Sequence, residues 1–489
     1  MVWIGGLAAA ALVAALFTGP TPVLIALVGV AALAVLIRWP AISVGAVILL
    51  GLTAWPAFVP YDINVGPITI RLFEPFLIFA AAWALFALRP PPKIKAFAGV
   101  LVGVAAVWGV AGYAMGYPSS GIIADIRGTI TVALMGLVVG GVYGSRFGEP
   151  MLKTIKVSLW ISAAFTLAGW TFGLPLAGRA GSAGLWLVGS GAPDDSAATR
   201  YLTSASELAV IAVCVTVAMV MMGVARLRDV TPFLMPAALI VAAGFSRNSF
   251  LAIGVAAIVA LLVARSAAAL RGAISLATVA MAASVVGALI VTAGLPGADL
   301  IASTWAGFEG RVLGGIAGDA LALDSSARAR FVENMYATAG IAQSPILGNG
   351  FGYAYRPGFG PTGSFTATSG MYYAHNYWLW VPLKTGIIGA VLILGVAFIA
   401  PTVRGLLFGG RIGRAFAATS VGVLVSLIYA PFPNDSGSGG SLAIGLLLGA
   451  VWATSRRDSR NGTEPGTGER TQKRTRRKAG LTITAVPGG

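Results

Sequence analysis

A chain of 489 residues, 57% of them hydrophobic and only 10% charged, with a mean hydropathy of +0.86, cannot cover itself as a water-soluble globular protein, where about 25% of residues carry charge. Its net charge of +16 is distributed in a way that points to membrane topology and not to a nucleic-acid surface. The lone cysteine, Cys214, excludes an internal disulfide, and no Cys/His cluster marks a metal site.

The N-terminus lacks the basic stretch that precedes a cleavable signal core, so its first apolar runs read as retained helices. In chain order the apolar runs predict spans near 3–18, 21–37, 41–58, 73–89, 96–114, 127–144, 157–175, 205–224, 231–245, 248–265, 272–294, 377–400, 415–432 and 440–455. This is a bundle of about 12–14 spans, the first pair being divided only by Gly19-Pro20. A helix crosses the hydrocarbon core in ~20 residues. No long stretch alternates strictly, which argues against a barrel. Backbone groups must pair internally in lipid, which leaves helices. The expected fold class is all-α, a polytopic transmembrane helical bundle over 1–455, with a very short connection at Ser246-Arg247.

Lys and Arg counts set the orientation. With the C-terminal tail in the cytoplasm, 23 of the 33 basic residues fall on the cytoplasmic side, nine of them in the tail. Both termini are then cytoplasmic, in a bacterial plasma (inner) membrane. The tail 456–489 has almost no apolar residues, so it is expected to be disordered, with its 473–478 basic cluster touching anionic membrane lipids.

The outer side keeps Arg71, Arg127, Arg179, Arg200, Arg247, Arg311, Arg328, Arg330 and Arg356, while six of the seven lysines lie inside and Lys384 falls within a span. Arginine offers a planar fork of donors that fits phosphate oxygens. These residues are therefore candidates for an outer, membrane-level anion. The bland reading is that they anchor helix ends or pair with Asp62, Glu74, Asp125, Asp194, Asp195 and Glu207.

One large outer loop runs from 295 to 375. Its first part, 305–323, reads as Gly-rich and irregular. Ser325-Ser326 then caps a helix to about Ala342, on which Arg328, Phe331, Met335, Ala339 and Ala342 form a stripe suited to a membrane or bundle surface. Ser344-Pro345 ends it, and Ile346-Leu347-Gly348-Asn349-Gly350-Phe351-Gly352 makes a tight turn. The stretch 356–370, with four Gly and two Pro, is a candidate lid. His375, the single histidine, stands where the loop re-enters the bilayer among interfacial aromatics. It reads either as a proton acceptor for a sugar hydroxyl or as a satisfied polar residue at a helix start.

The order of these elements resembles the bacterial O-antigen ligase and O-antigen polymerase superfamily. The resemblance rests on Arg330, Pro345-Ile346-Leu347-Gly348-Asn349-Gly350-Phe351-Gly352, His375-Asn376, Gly386-Ile387-Ile388-Gly389 and the upstream Ser246-Arg247. Two positions depart from it. Asn334 stands where an aromatic is common, and Lys384 stands near a position often acidic. Spacing selects Arg330 as the family arginine, while the apolar stripe turns Arg328 toward the membrane.

The resemblance implies a C-type (GT-C) membrane glycosyltransferase that needs no cofactor or metal. It would move a glycan from a polyprenyl diphosphate carrier to an acceptor hydroxyl on the outer face. The acceptor class stays open among another glycan repeat, a lipid, a protein and a wall polymer, and nucleic acid is not a partner. The implied roles are His375 as general base and Arg247 on the diphosphate. Arg330, Arg328, Asn376, Arg200 and Arg127 are candidate substrate-binding residues. A rival reading is a lipid-linked saccharide flippase, which would be expected to show internal repeats that the sequence does not display.

Overall fold

A computed structural model describes residues 34–65, 68–182, 199–264, 267–313, 325–358, 367–431, 433 and 439–455. The expected span 3–18, most of 21–37, the stretches 314–323 and 359–366, and the tail 456–489 lie outside the described residues.

The apolar runs become helices. They are α1 Ala41–Leu52, α2 Phe73–Trp83, α3 Pro92–Ala114, α4 Ser119–Val142, α5 Gly148–Phe172, α6 Ser206–Met221, α7 Leu227–Gly244, α8 Arg247–Ala264 and α9 Ala267–Thr292. The 295–375 segment adds α10 Ala298–Phe308 and α11 Ser325–Gln343, and these are followed by α12 Tyr377–Ala390, α13 Ala400–Phe408, α14 Arg411–Ser426 and α15 Gly440–Thr454. Among the described residues, seven helical stretches are long and apolar enough to cross a membrane. They are α3, α4, α5, α7, α8, most of α9, and the continuous run Tyr377–Phe408; α1, α2 with its extension, α6 and α15 are shorter apolar helices. The chain is a polytopic helical membrane protein.

Helix α15 is the buried centre, with every residue from Gly440 to Val451 covered by protein. Lipid gives helices no hydrophobic reason to associate, so close contact through small residues matters. Gly445 and Gly449 accordingly lie against Val132 and Gly136 of α4, where added side chains would meet backbone carbonyls. The same device joins α14 to α8, where Gly422 faces Ala252 and Ala256.

Two expectations need correction. The span predicted at 41–58 ends as a helix at Leu52, because Pro56 biases Trp55 away from helical backbone. The freed groups find partners on other elements. Ala54 N–H donates to Ser162 Oγ (2.9 Å), Ser158 Oγ to the Leu52 carbonyl (3.0 Å), and Ser204 Oγ to the Thr53 carbonyl (2.6 Å). The stretch read as irregular from 305 is instead helical through Leu313, since α10 continues as a wider helical turn over Glu309–Leu313. Gly307 and Gly310 lower helix propensity there without ending the helix. Two short antiparallel strand pairs also appear in connections between helices. One pairs β1 Asp62–Val65 with β2 Ile68–Arg71, the other β3 Arg179–Ser182 with β4 Thr199–Leu202.

The turn after α11 and the middle of α12 form one unit. Gly348, Gly350 and Gly352 all have positive φ (72°, 83° and 86°). Gly386 breaks α12 with φ 60°, ψ −169°. The break releases amides that bond outward: Ile387 N–H to the Pro345 carbonyl (2.9 Å) and Ile388 N–H to that of Ile346 (3.4 Å). In return Asn349 and Gly350 N–H donate to the carbonyls of Leu383 (3.1 Å) and Lys384 (2.8 Å). A methyl group at Gly386 would run into the Ile346 carbonyl. Gly386→Val is therefore expected to destabilise the purified protein by about 3 kcal/mol or more. The check is thermal unfolding in detergent, where an unchanged transition would show that this break is not required.

Candidate active site

Helix α11 has two faces. The stripe read from sequence, Arg328, Phe331, Met335, Ala339 and Ala342, is the face that protein leaves uncovered. The opposite face carries Arg330, Glu333, Ala337 and Gly340, with Glu333, Ala337 and Gly340 buried. Gly340 lets Leu383 of α12 approach. Asn349 pins the seam, its amide donating to the carbonyls of Gly340 (3.0 Å) and Leu383 (2.9 Å). The two arginines that sequence left side by side therefore separate. Arg330 lies on the inward face one turn before Glu333, and Arg328 points away.

At the head of this seam His375 meets Glu333. The imidazole Nδ1 lies 2.7 Å from Glu333 Oε2, and the His375 backbone N–H donates to the same oxygen at 3.4 Å. An ionised carboxylate can only accept, so Nδ1 carries a proton, and whenever the ring is neutral the lone pair is on Nε2. The imidazole is 28% exposed while the carboxylate is only 7% exposed, so the ring is reachable and its partner is sheltered. The other carboxylate oxygen, Oε1, accepts from Arg356 at 3.1 Å. Arg356 Nε donates to Tyr355 Oη (3.2 Å), and that hydroxyl donates to the Tyr373 carbonyl (2.9 Å). The Tyr373 ring stands edge-on to the imidazole at 5.2 Å.

Burial pushes the Glu333 carboxyl up, but the His375 hydrogen bond and the neighbouring His375 and Arg356 charges hold it, on balance, below the ordinary carboxylate value. Burial raises the Tyr355 phenol, so its hydroxyl stays protonated as a donor.

Glu333 was not singled out from sequence, and Arg356 stood there only as one of the outer arginines. The available signal was a carboxylate heading the small-residue face Glu333, Ala337, Gly340. Asn376 caps α12, its Oδ1 accepting from Leu379 N–H (3.3 Å), which commits that oxygen to the helix start.

Beneath the turn, Lys384 Nζ bonds Asp125 Oδ2 of α4 (2.7 Å) and the Tyr353 carbonyl (2.8 Å), and Gly352 N–H also donates to Asp125 Oδ2 (2.7 Å). The lysine that departed from the family pattern is thus a buried strut between the glycine turn and the bundle.

The other candidate arginines have different surroundings. Arg247 begins α8, which packs on α6 and α14. The C-terminal end of α14 is joined to α12 by Tyr377 N–H to the Leu427 carbonyl (2.9 Å) and Trp378 Nε1 to that of Leu424 (2.9 Å). Arg247 and His375 therefore lie at the same end of the bundle, on elements that share α14. Arg200 Nε donates to the Gly244 carbonyl (2.8 Å), steadying the turn that presents Ser246-Arg247. Arg127 is bound within the fold, to Glu74 (3.0 Å) and the Thr69 carbonyl. The contact with Glu74 is the pairing that the bland reading named. Among the described residues no group of three or more His, Cys, Asp or Glu could hold a metal ion.

Residues 231–394, which include most of α7, all of α8 and the whole His375–Glu333–Arg356 group, match the family model for O-antigen ligase. No curated protein matches the chain. The chain is thus O-antigen ligase-like over this segment, and that similarity is to a membrane protein that transfers glycans.

Proposed function

We propose that this chain, O-antigen ligase-like over residues 231–394, transfers a glycan from a polyprenyl diphosphate carrier to an acceptor hydroxyl at the outer face of a bacterial plasma membrane. The observation that carries the reading is the single histidine, held through Nδ1 by a buried carboxylate at 2.7 Å with its ring accessible. His375 Nε2 takes the acceptor O–H proton as that oxygen bonds to the anomeric carbon. The bond from that carbon to the carrier phosphate breaks, and the diphosphate leaves with the electron pair. Arg247, with Arg330 as a second cation, neutralises charge gathering on the departing group, so the reaction needs no metal. Arg200 acts by supporting the Arg247 turn. The catalytic bundle is 1–455, and 456–489 is a basic cytoplasmic tail.

The deciding experiment supplies purified protein with a labelled polyprenyl diphosphate-linked glycan and candidate acceptors. A new glycosidic product and free carrier diphosphate are expected. Movement of donor between leaflets without product would make the chain a flippase instead. Sidedness is checked separately. A Gly310→Cys variant is expected to react with an impermeant thiol reagent in cells whose outer envelope admits it. Reaction only after the plasma membrane is opened would reverse the topology.

A further inference from the structure

Arg356 has no assigned part in this reaction, yet it occupies the second oxygen of the carboxylate that holds His375. We propose that Arg356 is a positioning residue that keeps His375 available as a neutral base by sharing Glu333 with it. The inference rests on the glycosyl-transfer reading for its purpose, though not for its measurement.

The argument begins with one carboxylate and two partners. Glu333 Oε2 faces the imidazole at 2.7 Å, and Oε1 faces the Arg356 guanidinium at 3.1 Å. The carboxylate and guanidinium side chains are only 7% and 4% exposed, so little solvent screens them. A buried carboxylate beside an imidazole stabilises imidazolium, which cannot accept a proton. A fixed cation on the far oxygen opposes that pull. It also fills the lone pairs on that side, so the carboxylate cannot turn away from Nδ1.

Among the described residues, the following groups surround the pair. From the turn segment come Arg356 and Tyr355, the latter bonded to Arg356 Nε. Tyr373 faces the ring with its edge. On α11, Arg330 lies one turn before Glu333 and Tyr336 one turn after. On α12 the nearest charge is Lys384, already bonded to Asp125. Among the described residues Arg356 is a cation in direct contact with Glu333, and its removal has a defined sign. Losing Arg356 strengthens the hold of Glu333 on imidazolium, whereas losing the Glu333 charge weakens it.

The protein contains one histidine, so isotope-labelled histidine reports this ring alone, provided that purification avoids a histidine tag. The experiment is a nitrogen NMR titration of the full chain in detergent, for wild type, Glu333→Gln, Arg356→Gln and Arg356→Lys. Relative to wild type, the midpoint is expected to fall by about 1 unit in Glu333→Gln and to rise by about 0.5–1 unit in Arg356→Gln. Arg356→Lys keeps the charge but not the fork, and is expected to rise by less. The wild-type neutral ring should carry its proton on Nδ1. Shifts of the same sign in Glu333→Gln and Arg356→Gln, a midpoint unmoved by Arg356→Gln, or a proton on Nε2 would overturn the proposal. Should Arg356→Gln not fold, a midpoint unmoved or lowered in Arg356→Lys would do the same.

Activity supplies a second reading. The acid limb of the transfer rate should move with each midpoint, and the limb moving the opposite way would also reject the proposal. Opposite NMR shifts in a protein with no transferase activity would support the shared carboxylate and remove the glycosyl-transfer reading.

Discussion

Replacing His375 with alanine is expected to lower glycan transfer by roughly 10²–10⁴-fold while donor binding survives. A sugar hydroxyl is a poor nucleophile until its proton begins to leave. The accessible Nε2 is the group placed to take that proton, because Glu333 occupies Nδ1. Donor binding should be spared because the proposed phosphate ligands are guanidinium groups on other elements, chiefly Arg247 at the start of α8. Arg247→Ala should fail in the complementary way, through weaker donor binding, slower diphosphate departure, or both. Arg247→Lys should still be impaired, since an ammonium lacks the fork. Turnover and donor binding measured on folded, monodisperse variants separate the two roles. A folded His375→Ala protein with near-normal turnover would remove histidine from the chemistry.

The second large effect is on stability. Lys384→Met is expected to cost about 3–5 kcal/mol, because it strands the Asp125 carboxylate inside the bundle. Lys384 is fully buried and Asp125 nearly so. The lysine also holds the Tyr353 carbonyl, so its loss loosens the segment leading to Tyr355 and Arg356. Transfer should fall along with the unfolding temperature. The double variant Lys384→Met, Asp125→Leu removes both charges and should recover much of the loss, since an apolar pair of similar bulk replaces a buried ion pair at little net cost. Thermal unfolding of the two single variants and the double variant tests this. A double variant no more stable than Lys384→Met would show that the ion pair itself is not what matters.

Much of the bundle was legible because an apolar run in lipid has few alternatives to helix. The run at 96–114 marks α3, and Ser246-Arg247 marks the turn between α7 and α8. What escaped was backbone geometry decided by distant partners. Nothing local to Trp55 states that serines at 158, 162 and 204 will satisfy the chain where α1 stops. The β-hairpins are too short for their alternation to stand out. At the site, His375 was conspicuous as the single histidine at an aromatic boundary, but its partner was not. Glu333 lies 42 residues earlier, on a helix whose outward stripe drew attention to the opposite face. Only the folding of that helix onto α12 brings carboxylate and imidazole together. The same packing places Arg330 inward, a choice that spacing alone left beside Arg328. Lys384 looked like a departure from pattern until Asp125 was found across the helix seam.

The cross-bonding between the glycine turn and the broken middle of α12 also bears on hydrogen exchange. The amides of Asn349, Gly350, Phe351 and Gly352 belong to a connecting loop, which would ordinarily exchange early. Each instead donates to a bundle helix: to Leu383, Lys384, Trp108 of α3 and Asp125 of α4, respectively. To exchange, they must wait for three helices to part. This loop should therefore open only in the same cooperative event as the bundle, making it one of the slowest-exchanging connections in the protein. The histidine at the head of this seam would then be mounted on a durable part of the fold.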